Sequence, residues 1–290
     1  MPIRSFSDAR QFLELAQPFL ERDEVTSAVI FGVSRRLAER PYPHPYYLAL
    51  VEDEHGPLLA AMMTPPHRIS VWSDRAVGDE ALDLLVGDLL AGGWPVPGAQ
   101  GEVGLAERFA GRWAALTGQS WRLKLRERTF KLTEVTPPQP PVPGRLRPAT
   151  LEDLDLLAGW VLAFEREALG EGMAVEAREV AESRINAGAL HVWEDEGEIV
   201  SMAAWGRPTT TGITINLVYT PPDRRRRGYA AAAVAELSQR QLDAGKAFCT
   251  LFTDLGNPTS NHIYQEIGYR PVADFNVYLF DAPAAGEEDA

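Results

Sequence analysis

One stretch of the sequence combines residues that suit the binding of a phosphate group. A strand-like apolar segment at 213–219 is followed by three arginines at 225–227, by Gly228 and by an alanine-rich stretch that favours a helix. Where a strand leads into a helix, successive backbone N–H groups and the positive end of the helix dipole converge on an anion. Gly228 permits a phosphate to approach the backbone closely, and the small side chain of Ala230 leaves room for a diphosphate. The arginines can add charge-assisted hydrogen bonds. The stretch therefore predicts a diphosphate site.

The arginine run has two simpler interpretations, a solvated basic patch and a contact to nucleic acid. Neither explains why the run lies between a strand and a helix or why Gly228 follows it directly. The formal net charge of -13 also disfavours a polyanionic partner, because nucleic-acid binding depends on neutralising phosphates. This junction lacks both the Gly-x-Gly-x-x-Gly pattern of dinucleotide-binding loops and the Gly-Lys-Ser/Thr ending of P-loops. No nucleic-acid partner is expected.

The junction resembles the pattern Arg/Gln-x-x-Gly-x-Gly/Ala of the GNAT superfamily of acetyl-coenzyme A-dependent N-acyltransferases. The resemblance rests on six consecutive residues, Arg225, Arg226, Arg227, Gly228, Tyr229 and Ala230. A second stretch at 254–269 is similar to the superfamily's later helix segment and lies at the usual distance. The resemblance covers residues 145–282. It implies that the six residues bind the pyrophosphate of acetyl-coenzyme A (acetyl-CoA), the co-substrate.

The same resemblance assigns roles to five residues outside this loop. Leu217, Val218 and Tyr219 would pair their backbone with the pantetheine arm, and a backbone N–H near Val218 would stabilise the oxyanion. Asn257 would contact the arm, and Tyr264 would protonate the leaving thiolate. Two alternatives stay open, namely Asn257 as a helix cap and Tyr264 as a core or interface aromatic. The implied activity is direct transfer of acetyl to a primary amine of a small molecule or peptide in a ternary complex.

A general base is not evident in the sequence. Some superfamily members carry a glutamate on the strand before the loop, but residues 213–219 contain no carboxylate. Glu165 and Glu167 are possible substitutes, and exposed surface carboxylates are the other interpretation, so the base stays unassigned. Two further functional classes therefore stay open. One is a non-catalytic acyl-CoA sensor or assembly module, and the other is an acyl transfer that makes a small protective thiol or modifies a protein terminus.

Metal and thiol chemistry are not expected. Cys249 is the only cysteine, so an internal disulfide is impossible, and its apolar surroundings favour a small core residue over a catalytic thiol. The histidines lack the spacing of a metal site; they are His44, His55, His67, His191 and His262.

The predicted elements form an α+β arrangement in each half of the chain. In the second half, Thr150 begins a capping box, and the order is helix, helix, three strands, helix, strand, helix and closing strands. The first half ends in a similar order, with strands at 46–51, 58–63 and 68–72, helices at 79–91 and around 105–116, and strands within 121–132. The repeated order predicts a tandem duplication. Together with the resemblance, it implies two tandem GNAT-like domains, each a mixed, mostly antiparallel sheet flanked by helices.

Length and composition predict the domain boundaries. A chain of 290 residues exceeds one usual domain, and the proline-rich stretch 136–144 predicts a linker. Residues 1–135 would form a degenerate domain without a cofactor loop, residues 145–282 the catalytic domain, and residues 283–290 a flexible acidic tail. One cofactor per chain is expected, because the segment at 73–79 is acidic and lacks the loop pattern.

Composition also bounds the location and the partners. The sequence has no apolar run of about 20 residues, so no membrane association is expected. Its start lacks the apolar core of a signal peptide, which indicates a cytoplasmic protein. The acidic charge suits a cationic or amine substrate. We expect a monomer or a homodimer.

Overall fold

Local sequence patterns produce twelve strands and eight helices, besides short 3-10 turns, over residues 1–169 and 174–281, which the computed structural model describes. In chain order these elements are β1 (Ile3–Phe6), α1 (Ala9–Leu20), α2 (Ala28–Glu39), β2 (Tyr47–Asp53), β3 (Gly56–Met63), β4 (Ile69–Trp72), α3 (Asp79–Ala91), β5 (Gly98–Glu102), α4 (Val103–Thr117), β6 (Trp121–Leu132), β7 (Arg145–Pro148), α5 (Leu154–Leu169), α6 (Ala174–Asn186), β8 (Leu190–Asp195), β9 (Glu198–Gly206), β10 (Gly212–Tyr219), α7 (Tyr229–Asp243), β11 (Phe248–Asp254), α8 (Pro258–Glu266) and β12 (Arg270–Phe280).

The same element order occurs twice along the chain. A strand, two helices, three strands, a helix, a strand, a helix and a strand run from β1 to β6 and again from β7 to β12. The pairing repeats as well. Strands β1 to β4 pair antiparallel and β5 joins β4 in parallel, just as β7 to β10 pair antiparallel and β11 joins β10 in parallel. The predicted α+β class with two tandem domains is therefore confirmed.

The chain divides into two units whose bounds differ from the predicted ones. Unit 1 holds Met1–Thr129, Arg207–Thr210 and the chain from Val272, and unit 2 holds Phe130–Gly206 and Thr211–Pro271. The proline-rich segment 136–144 thus belongs to unit 2 instead of lying between the units. Most of β12 belongs to unit 1, where Phe275–Leu279 pair antiparallel with β5. The predicted tail at 283–290 lies outside the described residues.

In unit 1, helices cover both faces of the sheet. Leu48 and Leu50 of β2 pack with α1 and α2, whereas Ala49 and Val51 pack with α3 and α4. Successive side chains of a strand point to opposite faces, so a strand that is buried on both faces is apolar without alternation. This is why β2 is continuously apolar.

Unit 2 has the same layers, with strand order β6-β11-β10-β9-β8-β7, in which β6 contributes its last residues. Ile213 and Ile215 of β10 pack against α7 on one face. Leu157 and Val161 of α5 pack on the other face, together with α6. None of the helices within the described ranges is both long and apolar enough to cross a bilayer.

The sequence analysis missed five elements, β1, α1, α2, β5 and β7, and it divided β12 into two strands. Strand β5 shows one reason. Glycine disfavours strands, so Gly98 and Gly101 obscure the strand pattern. In the structure a Cβ on Gly98 would lie 2.1 Å from the carbonyl oxygen of Tyr278, and one on Gly101 would lie 2.6 Å from that of Val71. The glycines thus permit the close approach of neighbouring backbones.

Candidate functional site

Strand β10 carries a β-bulge near its C-terminal end. Asn216 pairs with Ala204 of β9, but the next pair joins Tyr219 to Met202, so two residues of β10 stand opposite one of β9. Leu217 within the bulge has a φ of 49°. A residue with a side chain occupies such a φ at a cost of about 1–3 kcal/mol, and bulges release backbone groups from the ladder. The bulge therefore frees backbone groups in the segment that was predicted to contact the pantetheine arm.

Strands β10 and β11 pair near their N-terminal ends and then separate. Their parallel pairing ends at Thr214 and Thr250, yet β10 continues to Tyr219 and β11 to Asp254. Helix α7 follows the end of β10, and helix α8 follows the end of β11. The carboxyl ends of neighbouring parallel strands are a preferred place for ligands in sheets flanked by helices.

The loop between β10 and α7 has the backbone of an anion site. Arg226 has a φ of 63° and Gly228 a φ of 83°, and turns with such values direct successive N–H groups to one side. The first bond of α7 runs from the Ala232 N–H to the Gly228 carbonyl oxygen, at 3.0 Å. The N–H groups of Tyr229 and Ala230 thus precede the helical ladder and lie at the positive end of a 15-residue helix.

Two of the loop arginines attach the loop to other parts of unit 2. The Arg224 guanidinium donates to Glu198 at 2.6 Å. The Arg225 guanidinium donates to both carboxylate oxygens of Glu167 on α5, at 2.9 and 2.7 Å, and to the carbonyl oxygen of Thr220 at 2.8 Å. These side chains therefore position the loop, and the backbone is left as its principal anion-binding group. The side chain of Arg226 is exposed.

Tyr229, at the start of α7, anchors the loop in the core. Its ring is buried in the cluster between the sheet and α7. Its hydroxyl donates to the carboxylate of Asp195, in the β8–β9 hairpin, at 2.6 Å, and this bond raises the pKa of Tyr229. The tyrosine predicted as a cofactor contact therefore has a structural role here.

The proline-rich segment packs directly beside Gly228. A Cβ on Gly228 would lie 2.9 Å from Val142 Cγ2. The indole N–H of Trp193 donates to the carbonyl oxygen of Pro143 at 2.8 Å. The segment is thus a wall of unit 2 next to the loop rather than a free spacer, and Gly228 is needed both for its φ and for this contact.

The second motif caps α8 and fixes the turn before it. The Asn257 side chain accepts a hydrogen bond from the Ser260 N–H at 3.1 Å, which is the helix-cap role. The Asn261 amide donates to the carbonyl oxygens of Asp254 and Asn257, both at 2.8 Å. The turn that joins β11 to α8 is therefore held by side chains of the helix itself.

Tyr264 lies half-buried on α8. Its ring packs edge-on against Tyr269, with centroids 6.1 Å apart. Burial raises the pKa of Tyr264 to about 12. The phenol therefore keeps its proton at neutral pH, which is the state that a proton donor needs.

The two glutamates considered as bases have different surroundings. Glu167 is held by Arg225 at the loop. Glu165 is half-buried, and burial, with a smaller contribution from the charge of Glu176, raises its pKa. The sequence offered no signal to separate them, because the partner of Glu167 lies 58 positions away.

Cys249 is fully buried on β11, and burial raises the pKa of its thiol to about 12. A thiol in this state is a poor nucleophile at neutral pH. Over the ranges that the structure describes, no group of three or more His, Cys, Asp or Glu side chains is placed to hold a metal ion.

The equivalent junction of unit 1 is acidic. Helix α3 begins after Gly78, which has an ordinary φ of −76°, and its first turn contains Asp79 and Glu80. Asp79 accepts a hydrogen bond from Arg108 of α4. Carboxylates at a helix N-terminus occupy the place of a bound anion and repel one. In the described part of unit 1, the start of α3 therefore differs from that of α7 in its ordinary backbone φ and its two carboxylates.

Comparisons with known proteins agree with this geometry. Residues 194–278, which include the bulge, the loop and α8, match the family of FR47-like proteins. No curated protein is detectably similar in sequence.

Solved structures match the whole chain. A GNAT-family acetyltransferase from Colwellia psychrerythraea is 11% identical, with a TM-score of 0.59 over 97% of this chain and 99% of that one. A GCN5-related N-acetyltransferase from Sphaerobacter thermophilus is 15% identical, with a TM-score of 0.62 over 98% and 96%. A tandem GNAT protein from the clavulanic acid biosynthesis pathway is 11% identical, with a TM-score of 0.61 over 99% and 100%. The predicted fold, that of tandem GNAT proteins, is therefore confirmed over nearly the whole chain.

Proposed function

We propose that this chain, which has the fold of tandem GNAT acetyltransferases, is an acetyl-CoA-dependent N-acyltransferase with a single cofactor site in unit 2. One observation carries the proposal. A bulged strand separates from its parallel neighbour just where a loop with two positive φ values leads into a long helix. Unit 1 repeats the elements without this combination.

The residues present suit acetyl-CoA. The N–H groups of Tyr229 and Ala230 and the turn around Gly228 would hold the pyrophosphate, because an anion is stabilised at a helix N-terminus. Backbone groups of Leu217 and Val218 would pair with the pantetheine amides. Such main-chain pairing depends on backbone geometry and needs no particular side chain.

When bound, acetyl-CoA supplies a thioester as the acetyl donor. The nitrogen of a neutral primary amine forms the new C–N bond to the carbonyl carbon of the thioester, and the C–S bond breaks. The N–H near Val218 stabilises the negative charge that develops on the carbonyl oxygen, and Tyr264 supplies a proton to the departing sulfur. The nitrogen loses one proton before attack and a second after it, so the balance is one N-acetylated amine, one free thiol and one proton released.

Titration calorimetry of the intact chain with coenzyme A should give one site per chain, and thiol release from acetyl-CoA should depend on an added amine. A panel of alkylamines, polyamines and short peptides would identify the acceptor class. Two equivalent sites would contradict the assignment to unit 2 alone. Binding of coenzyme A without thiol release for any amine would indicate a binding module instead of an enzyme.

Glu167→Gln should bind coenzyme A more tightly than the wild type. The pair with Arg225 is exposed, so it contributes at most about 1 kcal/mol to stability. Its loss frees a guanidinium and removes a negative charge beside a diphosphate site. We expect the dissociation constant to fall by about two- to fivefold, measured by calorimetry at low salt.

Asp155→Asn is the matched control for this variant. Asp155 also lies on α5 and forms an exposed pair, with Arg178, at 2.6 Å. Asp155 pairs with Arg178 and not with a loop residue, so Asp155→Asn should bind coenzyme A with the dissociation constant of the wild type. Weaker binding by Glu167→Gln alone would mean that the Arg225–Glu167 pair preorganises the loop.

A further inference from the structure

Helix α5 has one face that changes from buried to half-buried along its length. Leu154, Leu157 and Val161 on this face are at most 8% exposed. Glu165 follows Val161 by one turn on the same face and is half-buried. A carboxylate thus takes a core-facing position at the C-terminal end of the helix, where an apolar residue would continue the pattern.

This face of α5 covers the bulge of β10. Leu157 and Val161 pack in the same cluster as Tyr219, and Leu217 of the bulge packs against that cluster. Glu165 lies one turn beyond Val161, toward the end of α5 that contacts the cofactor loop through Glu167. The order along the helix therefore places Glu165 one turn beyond the residues that cover the bulge.

Two contacts fix this end of α5. The ring of Trp160 lies 5.9 Å from that of Tyr219, and Glu167, seven residues later, binds Arg225. Both side chains lie on the loop side of the helix. Glu165 points away from this side, because a rotation of 100° per residue separates it from Trp160 and from Glu167 by well over a right angle. It faces α6, whose Glu176 is close enough to raise the pKa of Glu165.

Other carboxylates around the site are already engaged. Glu167 accepts from Arg225, Glu198 from Arg224 and Asp195 from Tyr229. Asp254, at the end of β11, accepts from the Gly256 N–H at 2.7 Å. Among the described residues, none donates a hydrogen bond to the Glu165 carboxylate. Within the described ranges it therefore combines partial burial with a carboxylate that accepts no hydrogen bond.

The surroundings of Glu165 raise its pKa above the ordinary value of a glutamate. Burial and then the negative charge of Glu176 on α6 raise its pKa. On the elements packed against α5, the remaining charged or titratable groups are Arg178 (paired with Asp155), Glu179, Glu182 and Arg184 on α6, Tyr219 on β10, and Glu152 and Asp153 at the preceding turn.

We propose that Glu165 is the general base of the reaction, an assignment that rests on the proposed function. Its carboxylate takes a proton from the bound ammonium group, giving a neutral amine and a carboxylic acid. The amine nitrogen forms the C–N bond as the C–S bond breaks. The proton on Glu165 then passes to solvent, and the second nitrogen proton replaces the one that Tyr264 gives to sulfur.

Amines of different basicity test this role. An alkylamine with a pKa near 10.4 is protonated at pH 7 and needs the base, whereas O-methylhydroxylamine is neutral there and does not. Glu165→Gln should therefore lower kcat with the best alkylamine of the panel by roughly a hundredfold or more, and leave kcat with O-methylhydroxylamine within about threefold. Asp155→Asn, on the same helix, should change neither rate.

The pH profile gives a second readout. Wild-type kcat/KM for the alkylamine should rise with pH through the raised pKa of Glu165 and then level off. Glu165→Gln should keep rising toward the pKa of the amine. Glu176→Gln should move the wild-type limb to lower pH, because it removes a like charge that disfavours the carboxylate.

Three outcomes would overturn the proposal. Unchanged kcat in Glu165→Gln would exclude the base, and equal losses with both amines would indicate a structural role. Calorimetry with coenzyme A checks that the variant is folded, since its dissociation constant should match the wild type. If the wild type releases thiol but Glu165→Gln does not lose activity selectively with the alkylamine, the assignment of the base fails and the proposed function stands. If the wild type is inactive with every amine, the proposed function fails as well.

Discussion

Tyr264→Phe should lower kcat roughly ten- to a thousandfold while the dissociation constant of coenzyme A stays close to that of the wild type. The variant removes one hydroxyl and keeps the ring that packs against Tyr269. Single-turnover measurement of thiol release, alongside calorimetry, separates the chemical step from binding.

The pKa of Tyr264 limits what the hydroxyl contributes. Burial raises that pKa to about 12, whereas a thiol has a pKa near 8.5. Proton transfer from this hydroxyl to a free thiolate is therefore uphill by about 5 kcal/mol, and it is offset only when the second proton of the amine nitrogen replaces the one that Tyr264 gives to sulfur. The raised pKa also determines how the rate depends on pH. The protonated form is the active one, so Tyr264 causes no loss of rate below about pH 11.

Tyr269→Phe is the matched control. Its hydroxyl lies 2.8 Å from Ser238 Oγ in the core, away from the strand ends. Loss of this bond should reduce the free energy of unfolding by about 1 kcal/mol and leave kcat unchanged. A wild-type kcat in Tyr264→Phe would exclude the acid role, and equal losses in both variants would show that the ring pair serves stability alone.

Gly228→Ala should weaken coenzyme A binding by about tenfold or more and lower the free energy of unfolding by about 1–2 kcal/mol. A side chain at a φ of 83° is strained, and its Cβ would meet Val142 Cγ2 at 2.9 Å. To relieve the strain and the clash, the loop backbone must rotate, which turns its N–H groups away from the anion. Calorimetry and chemical denaturation measure the two effects.

Gly245→Ala separates strain from binding. Gly245 follows the other end of α7 with a φ of 92°, and its Cβ would meet no atom within 4 Å. It should lose similar stability without any change in the dissociation constant. The double variant Val142→Ala/Gly228→Ala then separates the two causes of weaker binding. If affinity for coenzyme A recovers, the contact with Val142 is the cause; if affinity stays low, the backbone strain at residue 228 is the cause. Wild-type affinity in Gly228→Ala would sink the proposed anion site.

Local rules let the sequence predict much of the fold and the outline of the site. The capping box at Thr150 and the bounds of α3 depend on neighbours within a few residues, so the sequence reports them directly. Element order, which depends on the same rules, indicated the tandem repeat. The loop motif predicted an anion site between a strand and a helix, and the structure has a loop with two positive φ values between β10 and α7 at that point.

Tertiary structure alone decided the remainder, because it depends on groups distant in sequence. The bulge at Leu217 follows from the register between β9 and β10, and the contact of Arg225 with Glu167 joins residues 58 positions apart. Strand β5 forms despite its glycines because close backbones require them. The half-buried position of Glu165 depends on how α5 packs over β10, and no pattern within α5 distinguishes a buried carboxylate from a solvated one. Side-chain surroundings of this kind arise only when the elements pack together.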